Sequence, residues 1–238
     1  MISRIQQLIK VIGPGFIIAA VVLGPGSITV ASKIGSVYGY ALLWIIVLAA
    51  IGMGMFTSMS ARFGVSHDQS ILQTIADTYG RWFAILIGIA SFMAATSFQF
   101  GNNLGVATAM NAITGIPEYI WPFLFTPLGI IFVFFAKNLY KLLEKVIMAL
   151  VMVMIIAFLL NLYFAKPNVL LWLKGFVPLS IPGSGLNEIA ALVGTTFVLH
   201  ACLYQAYLVQ DKGWKVEDMK RGLRDTLMGI VILGSVTM

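Results

Sequence analysis

Apolar residues run along this chain in stretches far longer than any soluble strand, with polar residues gathered between them. A helix that crosses a bilayer needs about 20 mostly apolar residues. Such stretches lie near Val11–Ser32, Tyr40–Ser60, Trp82–Ile113, Tyr119–Ala136, Val146–Phe164 and Ile189–Val209. A seventh begins near Thr226 and is still apolar at Met238. The pattern predicts an all-α polytopic membrane protein, because the runs lack the two-residue alternation of a membrane barrel. The first run is too long for a cleaved signal peptide and has no soluble domain behind it. A half-formed seventh span leaves backbone groups unsatisfied in lipid, so the chain reads as the N-terminal part of a longer product.

Charge placement tests this map independently. With Met1 in the cytoplasm, the inside segments hold Arg4, Lys10, Arg62, Arg81, Lys137, Lys141, Lys145, Lys212, Lys215, Lys220, Arg221 and Arg224. The outside segments hold Lys33, Lys166 and Lys174. Twelve against three accounts for all 15 basic residues and follows the positive-inside rule. The expected location is therefore the cell membrane, multi-pass, with a cytoplasmic N-terminus.

The polar interruptions carry the chemistry. The first span contains Gly13-Pro14-Gly15 at its start and Gly24-Pro25-Gly26-Ser27 near its middle. Proline removes a backbone donor and glycine permits an unwound segment. In lipid such a break is tolerated only where protein or a wet cavity surrounds it. Discontinuous helices of this kind place half-helix ends around a midplane site in secondary transporters. The sixth span puts Thr195, Thr196, His200, Tyr204 and Gln205 in an otherwise apolar run. In a continuous helix Thr196 and His200 share a face. An ionisable residue inside a membrane is a functional candidate by default, although His200 also suits a neutral, hydrogen-bonded role. The expected helix breaks are at Pro25, Gly26 and Leu199, facing one another. Gln99 and Asn102 in the third span are further pathway candidates, whereas Asn103 reads as interhelical glue and Gly101 and Gly105 as sites of close helix approach.

Composition narrows the function. The 60% apolar and 10% charged content excludes a soluble globule, which is about 25% charged, and excludes disorder. One cysteine, Cys202, excludes an internal disulfide framework and a cysteine-based zinc site. The formal net charge of +6 belongs to basic loops beside lipid, so no nucleic-acid partner is expected. The spans hold no nucleophile–base pair, so no enzyme is expected and no cofactor is called for.

Several segments, in order and correctly spaced, resemble the Nramp family of metal-ion transporters. They are Gly13-Pro14-Gly15-Phe16 through Ser27, Gly39-Tyr40-Ala41-Leu42-Leu43-Trp44, Met59 through Val65, and His200-Ala201-Cys202-Leu203-Tyr204 through Gln210. The resemblance implies a leucine-transporter-type inverted-repeat fold, truncated after about six and a half helices. Residues 1–165 would form the first five-helix repeat, and 166–238 a loop and the start of the second. The family's first-helix motif is Asp-Pro-Gly-Asn, but here Gly24 and Ser27 stand at the aspartate and asparagine positions. Its sixth-helix motif is Met-Pro-His, where this chain has Val198, Leu199 and His200. The third-helix acids fall at Ser97 and Phe100.

A count from the residues alone reaches the same point. The acids Asp68, Asp77, Glu118, Glu144, Glu188, Asp211, Glu217, Asp218 and Asp225 all fall in expected loops or at helix ends. Hard divalent ions use several oxygens, carboxylates among them. A site built from Gly24, Ser27, Thr195, Val198, His200, Gln99 and Asn102 has none, and no metal ligand set is assigned. Three functions stay open. One is an Nramp-type metal-ion transporter with a remodelled site. Another is a transporter of a different small ion or solute on the same scaffold. The third is a non-transporting sensor or scaffold. The partners implied are the lipid bilayer and a small ion or solute. With no midplane carboxylate to hold a proton, His200 is expected to stay neutral near pH 7 and proton coupling to be weak.

Overall fold

A computed structural model describes residues 18, 21–135, 139–177 and 186–238. The described helices, in chain order, begin with α1 (Pro25–Tyr38), α2 (Leu43–Ser66), α3 (Ile71–Tyr79) and α4 (Arg81–Thr114). They continue with α5 (Ile120–Phe135), α6 (Leu139–Ala165) and α7 (Val169–Lys174). The last three are α8 (Leu186–Thr196), α9 (Leu199–Asp211) and α10 (Met219–Thr237), the last entered through a short 3₁₀ turn at Val216–Asp218. Leu43–Ser66, Arg81–Thr114 and the interrupted pair Leu186–Asp211 are long and apolar enough to cross a membrane. The described residues contain no strand.

The helices sort into a buried group and an exposed layer. In the buried group α9 and α10 both pack along α2, and α8 rests against both α1 and α2. One core cluster joins Val22, Leu23, Met53, Val198, Ala201 and Leu233. A second joins Ile34, Leu42, Ile45, Ile46 and Leu192 near the far end of α1. Lipid is as apolar as leucine, so helices associate there by close packing and hydrogen bonds. The glycines show it. A Cβ on Gly64 would fall 2.5 Å from the Ala206 carbonyl oxygen, and one on Gly105 would fall 2.7 Å from the Pro25 Cβ. These two contacts seat α2 on α9 and α1 on α4. The exposed layer is α4, α5 and α6, where Phe123 and Phe134 are more than four-fifths exposed.

Hydropathy places the spans, but the helices overrun it. The first span continues to Tyr38 and the second to Ser66, while α6 begins at Leu139 and α10, the seventh span, at Met219. Lys33, Arg62 and Arg224 therefore sit on helices, not in loops. The reason is physical: the apolar pattern stops at the lipid boundary, whereas the i→i−4 hydrogen-bond ladder continues into the polar interface. Asp225 is consequently not at a helix end; it lies inside α10 and is 7% exposed. Two short helices have no counterpart in the hydropathy reading. Ser70 caps α3 by accepting from the Gln73 amide, and Asn168 caps α7 by accepting from Leu170 and Leu171. The α7 turn is pinned to the start of α2 by the Trp44 amide donating to the Gly175 carbonyl at 3.0 Å. The motif Gly13-Pro14-Gly15 lies outside the described residues.

Candidate functional site

The first span is interrupted at Leu23 and Gly24. Pro25 and Gly26 are not themselves unwound; they are the first two residues of α1. Proline suits that position because the first helical amide has no intrahelical acceptor to lose. The break is closed by its own surroundings. Gly24 donates from its amide to the Val22 carbonyl at 2.8 Å. The Ser27 hydroxyl reaches the Val22 carbonyl at 2.9 Å and the Gly24 carbonyl at 2.8 Å, donating to one or the other. Gly24 offers no capping side chain. Instead the Gly26 amide donates to Asn102 Oδ1 on α4, at 3.2 Å.

The sixth span is interrupted at Phe197 and Val198, and Leu199 is the first residue of α9. No proline or glycine marks this break. Its ends are finished less completely than those of the first. The Phe197 amide donates back to Val193 and Cys202 donates to Val198, but Val198 provides no side-chain cap. Thr196 Oγ1 and His200 Nδ1 are buried without a hydrogen-bond partner. Thr196 ends α8 and His200 lies in the first turn of α9, so they do not share one continuous helical face. His200 is held edge-on by Phe98 of α4, with ring centroids 5.7 Å apart.

The two breaks meet in one core, through Val22 and Leu23 on one side and Val198 and Ala201 on the other. Beside them opens a cleft of about 630 Å³, whose lining includes Val21, Phe98, Gln99, Asn102, Asn103 and His200. Of the residues singled out in the sequence, the structure brings Gln99, Asn102 and His200 into this cleft, and Asn102 also sits over Gly24. Ser27 is buried and lines a different cavity, of about 280 Å³, with Asn161 of α6. Thr195 turns its hydroxyl to its own helix, donating to the Leu192 carbonyl at 3.2 Å. Val198 is core packing. Asn103, read as glue, accepts from Gln99 Nε2 at 3.0 Å on the wall of the cleft. Sequence reasoning did not find Asn161, since one amide in a long apolar run gives no periodic signal. Among the described residues no three His, Cys, Asp or Glu side chains come together to hold a metal ion.

A family profile described as "Natural resistance-associated macrophage protein-like" matches residues 15–238. The chain belongs to the Nramp family. The divalent metal cation transporter MntH of Staphylococcus aureus is 26% identical over 214 residues, covering 88% of this chain and 47% of that protein. A crystal structure of the Eremococcus coleocola manganese transporter, bound to an aromatic bis-isothiourea compound, superposes with a TM-score of 0.76. That match covers 99% of this chain and 51% of the transporter at 20% identity. A mutant form of the same transporter gives 0.72 over 94% of the chain. These likenesses establish the leucine-transporter-type fold. The chain spans about half the length of the Nramp relatives it matches. At the position where the Nramp resemblance implies an aspartate, this chain places Gly24 beneath Asn102.

Proposed function

We propose that the whole protein is a secondary transporter on the Nramp scaffold whose midplane site is made of neutral groups. One observation carries the reading: two broken spans meet in a single core with no carboxylate at either break. Interrupted helices present half-helix ends to a solute, and rocking of one repeat against the other gives alternating access. Relatives are named as divalent metal cation and manganese transporters, which favours a small cation as the substrate class. Without carboxylates the site binds a bare manganese or iron ion weakly, since stripping such an ion of water needs strong anionic ligands. It suits a cation that keeps its water, or a monovalent one. In this reading the N-terminus is cytoplasmic, residues 1–165 form the first repeat and the second begins at 166.

His200 lines the pathway as a neutral, polar group. An imidazolium in this setting has no carboxylate beside it, so it is not a proton carrier. The test is a proteoliposome assay of the complete protein that follows internal pH while manganese, magnesium or sodium is supplied outside. The reading expects cation uptake with little acidification. Robust substrate-dependent acidification that is abolished by His200→Ala would overturn the uncoupled mechanism. Folded protein that moves none of these ions would turn the assignment towards a sensor or scaffold.

A further inference from the structure

We infer that Asn102 is the specificity-determining residue of the first break: it caps α1 from another helix and occupies the space above Gly24, so that the break is sealed against a bare cation. The inference rests on the transporter reading above and names the residue that sets its selectivity.

The geometry follows from glycine spacing. Gly101 and Gly105 lie one turn apart on α4 and let the start of α1 come within backbone distance. A Cβ on Gly26 would fall 2.8 Å from the Gly101 carbonyl carbon, and one on Gly105 2.8 Å from the Pro25 carbonyl oxygen. Asn102 stands between these two glycines. Its side chain, on the wall of the cleft, lies along the N-terminal end of α1. There a free backbone amide waits, because the first turn of any helix has donors without intrahelical acceptors. An asparagine oxygen is among the best acceptors for that position, and here it is supplied across the interface by a residue 76 positions away.

Two consequences make Asn102 more than packing. First, a Cβ built on Gly24 would collide with Asn102 Oδ1 and lie 3.0 Å from its Cγ and 3.2 Å from its Nδ2. No side chain fits at position 24 while Asn102 keeps its place. Second, the bond to Gly26 fixes which end of the amide is which, since only the oxygen accepts from an N–H. One of the two lone pairs of that oxygen is thereby held by the protein, and the –NH₂ is the group left wholly free. A donor repels a bare cation and accommodates water or a hydrogen-bond-accepting solute. The asparagine thus fills the ligand position at Gly24 and sets a donor beside it.

The test is a cycle on the full protein, with Gly24→Asp, Asn102→Ala and the double variant, each titrated with manganese in a calorimeter. The double variant is expected to bind at least about tenfold more tightly than either single one, the size of an ordinary coupling between residues in contact. If Gly24→Asp alone binds as tightly as the double, or if the double gains nothing, Asn102 is not what excludes the metal. A second cycle covers poor folding of the aspartate variants. Gly24→Ala is expected to lower Tm by about 4 °C and the added Asn102→Ala to recover at least half of that loss. Strictly additive losses would also overturn the inference. Tight manganese binding by the unaltered protein is a separate outcome: it sinks the neutral-site reading of function, whereas the ratios between variants judge the role of Asn102.

Discussion

The two helix breaks are the same kind of interruption finished in opposite ways. At the first, the Ser27 hydroxyl, the Gly24 amide and the Asn102 oxygen answer the loose backbone groups. At the second, Thr196 Oγ1 and His200 Nδ1 are left without partners. A buried polar atom without a partner costs about 1–3 kcal/mol, so the difference is not decorative. The first break is a structural joint locked onto α4. The second holds the unspent hydrogen-bonding capacity, and His200 turns it towards the cleft.

The largest way to break this contrast is to pull α1 off α4. Gly105→Val forces a branched side chain into the Pro25 backbone, which cannot rotate away. The expected cost is about 3 kcal/mol, read as a fall of about 6–12 °C in the Tm of the purified protein. A fall under about 2 °C would mean that the helices do not approach as described. Ser27→Ala comes next. It removes the one hydroxyl donor shared by the Val22 and Gly24 carbonyls, each of which keeps a backbone donor, and a loss of about 1 kcal/mol, or about 2–4 °C, is expected in the same measurement. Thr196→Val is the smallest and the sharpest. It replaces a buried hydroxyl that makes no hydrogen bond with a methyl of the same shape, so stability should not fall and should rise by up to about 1 kcal/mol. A loss as large as that of Ser27→Ala would show that the second break is as well satisfied as the first.

The contrast also marks where sequence reasoning reaches and where it stops. The first break is legible because Gly24-Pro25-Gly26 cannot continue a helix smoothly, and the proline needs the first position of a new one. The second break carries no such residues at Phe197 and Val198. Only the polar content of the sixth span and its place at the start of a second repeat point to it. Reading that span as continuous puts Thr196 and His200 on one face, and the unwound residues between them undo it. Helix ends are misjudged wherever a basic residue rides on the helix beyond the apolar run, as at Lys33 and Arg62. The role of Asn102 is invisible in the sequence for a different reason. Its partner is 76 residues away, and the contact exists only because Gly101 and Gly105 let two backbones approach. A small-xxx-small pair hints that something packs there, but not what.

Manganese titration of the complete, unaltered protein by calorimetry tests the central claim most directly. A midplane site with Asn102 filling the space over Gly24 and no carboxylate at either break should give no saturation below about 1 mM, weaker than about −4 kcal/mol of binding free energy. Saturable binding near 1 μM, about −8 kcal/mol, that disappears on His200→Ala would place a competent metal site at these breaks and contradict the account.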